Sequence, residues 1–184
     1  MQQTTHLANY NNEGYQPGSF LKRLAWMLVS GIFFKTSIFP FYGLKSFLLR
    51  IFGAQIGKAL VIKPNVHIKY PWFLQIGDHC WIGEGVWIDN LGTVKLGNNV
   101  CISQGAMLLC GNHNYTEPCF NLMVKNIIIE NGVWIGAKAI VTPGVTAGSH
   151  AVLTVGSVAT KSLEPYGIYQ GNPALLVKTR LLKG

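Results

Sequence analysis

The sequence predicts an all-β solenoid: a parallel β-helix of about five triangular coils, with a helical segment before it and one external loop interrupting it. Three observations carry this reading. Aliphatic residues recur every six positions, at Ile56, Ile62 and Ile68, at Ile76, Ile82, Ile88 and Val94, at Leu96, Ile102 and Leu108, then at Ile129, Ile135, Val141, Ala147, Leu153 and Ala159. A second, usually smaller residue stands four places on, as at Val66, Cys80, Val86, Val100, Ala106, Val133, Ala139, Val145, Ala151 and Ser157. Glycine often follows the aliphatic residue, as in IGKALV, IGDHCW, IGEGVW, LGNNVC and IGAKAI. A six-residue unit supplies one short strand and one turn, three units close a triangle, and triangles stack through backbone hydrogen bonds. The aliphatic residue points inward on each face, worth roughly 1.5–3 kcal/mol when buried. Glycine is expected to supply the turn conformations that side chains resist.

The elements follow in chain order. Residues 1–18 are polar, rich in Asn, Gln and Gly, and read as a flexible arm. Residues 19–55 carry two apolar helical stretches broken near Pro40. The longest stretch free of Lys and Arg there, Leu24 to Phe34, is too short to span a bilayer. Five basic residues and one acid fall in positions 1–55, so this segment is either a cap over the open end of the repeat or a hairpin lying on a membrane surface. The β-helix runs over 56–164. Its phase slips by two residues at Leu74/Ile76 and at Val94/Leu96, which fits long corners at coil boundaries. Leu108 and Ile129 then stand 21 positions apart where 18 would keep phase. That excess marks an inserted loop, 110–128, and residues 165–184 form a closing segment.

Composition bounds the function. A chain of 184 residues is most simply one domain. With 12% charged and 49% hydrophobic residues, much of its surface is expected to be hidden in an oligomer or to face a membrane. The net charge of +8 points to an anionic partner: a phosphorylated cofactor, an acidic glycan or an anionic lipid surface. Nucleic acid is disfavoured, because the Lys and Arg residues form no dense cluster. Four cysteines without CxxC spacing and a polar N-terminus without a secretory signal predict a reduced, cytoplasmic protein, with a peripheral place at the inner face of the membrane left open.

The loop contains LLCGNHNYTEPCF, residues 108–120, with His113 between Asn112 and Asn114. His67 and His79 fall in coil corners and His150 in a late turn, where surface roles are expected. Cys110 lies close to His113, which raises a Cys–His nucleophile, but it falls within the coil, two residues past Leu108, where a packed thiol is the expected reading. No GxSxG elbow supplies a serine nucleophile.

The repeated [LIV]-G-x-x-[small]-x pattern resembles the hexapeptide-repeat acyltransferases. Residues 129–174, IENGVWIGAKAIVTPGVTAGSHAVLTVGSVATKSLEPYGIYQGNPA, are similar to the last coils of the galactoside and maltose O-acetyltransferases. The apolar segment ending in LLRIFGAQIG, followed by the GNHNY loop, is more specifically similar to the colanic acid biosynthesis acetyltransferases. The resemblance runs from about residue 20 to the end. It implies a left-handed helix, against the usual right-handed crossover rule, and a homotrimer whose active site lies between subunits. It implies acetyl-CoA as donor, no metal, and a sugar hydroxyl as acceptor, on an exopolysaccharide precursor. His113 matches the family's catalytic base; imidazole, with an ordinary pKa of about 6.5, can take the hydroxyl proton in its neutral form. Attack is then direct, without an acyl-enzyme.

By the same resemblance, coenzyme A passes Trp134 and Ala137, meets the backbone near Val155 and Gly156, reaches Thr160 and Lys161 at its nucleotide end, and is closed over by the loop holding Asn172 and Pro173. Two departures stand out. Leu175 occupies a place where the family often has a basic residue, leaving Lys178 or Arg180 for that role. The family's acceptor asparagine is missing from EGVWID, so Asp89 and Asn90, with Asn112 and Asn114, are the candidates for gripping the acceptor, and a larger glycan is favoured over a small free sugar. Two alternatives remain: a metal lyase of the carbonic-anhydrase type, which would want a second histidine where Pro118 stands, and a non-catalytic trimeric scaffold.

Overall fold

The structure, a computed structural model, describes residues 4–183. Helices α1 (Phe20–Phe33) and α2 (Tyr42–Ile51) precede the solenoid. The first coil is β1 (Gln55–Ile56), β2 (Val61–Ile62) and β3 (His67–Ile68). The second is β4 (Leu74–Ile76), β5 (Trp81–Ile82) and β6 (Trp87–Asp89), and the third is β7 (Val94–Leu96), β8 (Cys101–Ile102) and β9 (Met107–Leu109). A hairpin of β10 (Gly111–His113) and β11 (Leu122–Val124) interrupts the series. The fourth coil is β12 (Ile127–Ile129), β13 (Trp134–Ile135) and β14 (Ile140–Val141); the fifth is β15 (Thr146–Ala147), β16 (Val152–Leu153) and β17 (Val158–Ala159). Leu163, bridged to Ala147, and β18 (Gly167–Gly171) begin a sixth turn, against which β19 (Ala174–Thr179) folds back antiparallel. The solenoid is therefore a little longer than five coils.

Three parallel faces result: β1-β4-β7-β12-β15, β2-β5-β8-β13-β16-β18 and β3-β6-β9-β14-β17. On the first face Ile56, Ile76, Leu96, Ile129 and Ala147 stack in register, giving coil lengths of 20, 20, 33 and 18 residues. Every excess lies at one corner, where the third face turns back to the first. The first coil fits a 3-10 turn there (Pro71–Phe73), the second the residues 90–93, and the third the hairpin, 13 residues (33 − 20) beyond the long corner. The inward columns, apart from the half-buried Ile56 at the open end, and the smaller residues beside them are buried.

The glycine after each aliphatic residue has a different purpose from the one the sequence suggests. A Cβ on Gly57, Gly77 or Gly136 would run into the backbone of the next coil, and none of the three has a positive φ. They permit close stacking. The left-handed turn positions are elsewhere, at Gly85, Gly105, Gly132 and Gly156, and also at Asn65, His79, Asn99, Lys138 and His150.

The first coil has no coil before it, so its carbonyls facing that way need other donors. The helices supply one for each face. Arg50 donates to Ile56 O (Nη2, 3.0 Å), Lys45 Nζ to Ile62 O (3.3 Å) and Trp26 Nε1 to Ile68 O (2.9 Å). Lys45 is 1% exposed, and burial lowers its pKa from the ordinary lysine value. The helices cap the solenoid with one face and leave Phe20, Leu21, Leu28, Ile38, Phe41 and Phe47 exposed on the other. Among the described residues no helix is long and apolar enough to cross a membrane.

Candidate active site

The hairpin grows from the corner between the third and first faces. Strand alternation sorts its side chains. The opposed pair Asn112 and Met123 faces the later coils, lining a cavity of about 330 Å³ with Lys125, Thr142, Pro143 and Thr160. The next pair, His113 and Leu122, faces the earlier coils and a second cavity of about 310 Å³.

His113 is fixed on that second side. Its Nδ1 lies 2.8 Å from Phe120 O, and its ring stacks on the Phe120 ring, 4.6 Å between centroids and 11° from parallel. A carbonyl can only accept, so Nδ1 carries the hydrogen, and in the neutral ring the lone pair is on Nε2. That is the form a general base requires. Asn112 Oδ1 accepts from His113 N (2.8 Å), and Asn114 Oδ1 accepts from Thr116 N and Oγ1, so Asn114 shapes the loop tip.

The N-terminal arm, read from sequence as flexible, lies across this site. His6 N donates to Pro118 O (2.8 Å), Tyr10 sits 5.8 Å from the His113 ring, and the Tyr15 hydroxyl donates to Leu91 O (2.7 Å). Burial, ahead of nearby Tyr70 and Asp89, raises the Tyr15 pKa, so the hydroxyl stays a donor. Tyr10, Asn12, Tyr15 and Pro17 form one wall of the His113 cavity, Lys69, Tyr70 and Leu91 another, and α1 contributes Arg23. Sequence reasoning missed these residues because they belong to no repeat; two tyrosines in a polar arm were the one signal.

One acceptor candidate is corrected. Asn90 is 0% exposed; its Oδ1 accepts from Lys69 N and Tyr70 N (3.1 Å each) and its Nδ2 donates to Tyr70 O, so it fastens the corner and has nothing left for an acceptor. Asp89 lines the hollow beside His67 and Trp87 on the third face, and its Oδ2 also lies close to Gly111 at the base of the hairpin. Lys69 Nζ lies 3.0 Å from Asp89 Oδ1, outside hydrogen-bonding angles.

The expected cofactor residues fall into two groups. Ala137, Val155 and Gly156, with the Asn172–Pro173 turn, lie at the corner between the second and third faces, and Trp134 stands on the second face with its Nε1 donating to Ser103 Oγ (2.8 Å). Thr160 and Lys161 follow β17 and belong to the His113 corner. Arg180 cannot replace the missing basic residue, since its Nη1 donates to Gly132 O and His150 O (3.0 and 3.1 Å); Lys178 is exposed. Cys110 is fully buried, and burial pushes its thiol up to about 11, which removes it as a nucleophile. His67 sits in β3 beside Asn65, His79 is exposed, and His150 stacks on Tyr166. Among the described residues no three His, Cys, Asp or Glu side chains converge as a metal-ligand set.

No family model matches the chain. WcaF of Escherichia coli (strain K12), named for acetyl transfer in colanic acid biosynthesis, is 36% identical over 169 residues, 92% of this chain and 93% of that protein. The chain belongs to the hexapeptide-repeat acetyltransferases. The galactoside O-acetyltransferase of the same organism is 29% identical over 138 residues, 71% of this acetyltransferase and 66% of that one. The fold matches that of a hexapeptide-repeat-containing acetyltransferase from Vibrio cholerae O1 biovar eltor, VCA0836, solved with acetyl coenzyme A: TM-score 0.80, 21% identity, 94% of each chain covered. This acetyltransferase is accordingly a left-handed β-helix.

Proposed function

We infer that the protein moves an acetyl group from acetyl-CoA to a sugar hydroxyl, with His113 as general base. The observation that carries this is the Nδ1–Phe120 O hydrogen bond, which leaves Nε2 free to accept a proton beside a cavity. The acceptor oxygen attacks the thioester carbonyl as its proton passes to Nε2. The tetrahedral intermediate expels the coenzyme A thiolate, and His113 returns the proton to that sulfur. The solved VCA0836 complex contains acetyl coenzyme A, and the relatives include a galactoside O-acetyltransferase, which supports the donor and the acceptor class. The acceptor we favour is an exopolysaccharide precursor, free or lipid-linked. Purified protein should release thiol from acetyl-CoA only when a sugar acceptor is present, with the acceptor gaining the mass of one acetyl group. Thiol release without that gain would overturn the reading.

We place this chemistry between subunits of a homotrimer. Trp81, Trp87 and Trp134 are 61%, 46% and 46% exposed on outer faces that a neighbour would cover. A donor touching both Trp134 and the His113 corner joins the second face to the far edge of the third, which adjacent subunits bring together.

We also place the enzyme at the cytoplasmic membrane surface. The outward side of α1 and α2 is apolar, and residues 19–52 contain no acid to repel anionic lipid, although Lys45, Arg50 and Arg23 of their five cations are engaged with the solenoid or the His113 cavity. Sedimentation with vesicles containing anionic lipid should exceed that with neutral ones; equal sedimentation would leave the helices as a cap alone.

A further inference from the structure

We propose that the cavity beneath the N-terminal arm binds an anionic group of the acceptor, a carboxylate or a phosphate, through Arg23 and Lys69. The carboxylate of a uronic acid residue and the phosphate of a sugar phosphate share this chemistry. The inference rests on the acetyl-transfer reading only for the direction in which the acceptor hydroxyl points.

The charge balance of the cavity comes first. Its lining includes two cations, Arg23 and Lys69, and no Asp or Glu. Lys69 has Asp89 at 3.0 Å, on the neighbouring hollow. Arg23 has no such neighbour: among the described residues no carboxylate pairs with it, and its buried Nε has no hydrogen-bond partner. A buried guanidinium N–H without a partner is unfavourable, and each such group calls for a partner: a water, an ion or a ligand. A planar fork of N–H donors matches carboxylate and phosphate oxygens, two bonds at a time.

The second observation is the company Arg23 keeps. His113 lines the same cavity, so an acceptor anchored by its anion presents its hydroxyls within the space that the base serves. Tyr10, Tyr15 and Tyr70 add aromatic surface and hydroxyl groups, which suit a sugar ring with one apolar side and a polar edge. The arm that closes the cavity is held to the hairpin by the His6–Pro118 hydrogen bond and to the second coil by the Tyr15–Leu91 one, so the anion site and the base are parts of one enclosure. Asn90 holds the backbone of Lys69 and Tyr70 from below, which keeps the second cation at this wall.

The test is a binding measurement without donor, using calorimetry on the full-length protein. The probes are methyl β-glucuronide, glucose 1-phosphate and methyl β-glucoside. At least one anionic probe should bind about tenfold or more tighter than the glucoside, and that gap should narrow with added salt. Preference for the glucuronide identifies a uronate, and preference for the phosphate identifies a phosphorylated sugar. Arg23→Gln should collapse the gap, and Lys69→Gln should reduce it, in variants whose thermal unfolding matches the wild type. Equal binding of the three probes, no binding of any, or a gap that survives both substitutions would overturn the proposal. Anion binding without acetyl transfer to any sugar would leave the proposal standing and sink the acetyltransferase reading instead.

Discussion

The two corners that flank the third face are built differently. The corner that follows the third-face strands holds long turns after β3 and β6, an inserted hairpin after β9, a buried asparagine clamp and the N-terminal arm. The corner before them is short and regular, made of tight turns at Gly136–Ala139 and Thr154–Ser157. The irregular corner holds His113, and the regular one presents a smooth edge ending in the Asn172–Pro173 turn. In the reading proposed for this solenoid, the base sits where the repeat breaks, and the elongated donor lies where it does not.

That contrast can be broken from either side. His113→Ala should lower kcat by about 10²–10⁴ while the KM for acetyl-CoA stays within about twofold; wild-type turnover in the variant would remove the base from the irregular corner. Trp134→Ala should do the reverse, raising the KM for acetyl-CoA about tenfold with kcat changed less, as expected when a contact is the same in ground and transition states. At acetyl-CoA well below the KM of the Trp134 variant, mixed trimers assembled from these two variants should exceed the summed activities of the two alone, because one interface then carries both intact elements. Mixtures no more active than the sum of their parts would confine the site to one subunit.

Lys161→Ala discriminates more finely, since Lys161 is exposed and stands on the His113 corner. Its loss should raise the KM for acetyl-CoA roughly fivefold, a penalty that shrinks as ionic strength rises. A large fall in kcat at saturating donor would put it at the reacting centre. The smallest effect belongs to Cys110. With its thiol at about 11, well above the solution pH, it stays protonated through pH 8, and native protein should not react there with thiol reagents at this position. Cys110→Ala should leave kcat within about twofold; a steep, pH-dependent loss would restore the cysteine as a nucleophile.

The repeat was legible because each inward residue has one fixed job, and six-residue spacing records it directly. The coil boundaries were legible for the same reason: extra residues at a corner shift the phase of everything after them. What spacing does not record is which corner a turn occupies. Gly156 and Thr160 are four residues apart, yet β17 lies between them and sends them to opposite edges of one face. Asn90 looked like a polar candidate, but a residue type alone does not reveal that its amide faces the backbone of the preceding coil. The glycines were misread in kind. Both a turn and a close backbone approach exclude Cβ, and only the structure separates the two causes. Arg23 and the arm were out of reach because nothing in an aperiodic segment states where it folds back.

The three hydrogen bonds from Arg50, Lys45 and Trp26 also limit how large an object this chain can make. A stack of parallel coils is a one-dimensional lattice whose last layer is as sticky as any inner one, with rows of unpaired backbone groups ready to template another strand. At the first coil one carbonyl on each of the three faces is taken by a different side-chain donor, and the helices cover that end against another strand. The helices thereby turn a geometry that could propagate without limit, in the manner of a fibre, into a particle of defined length.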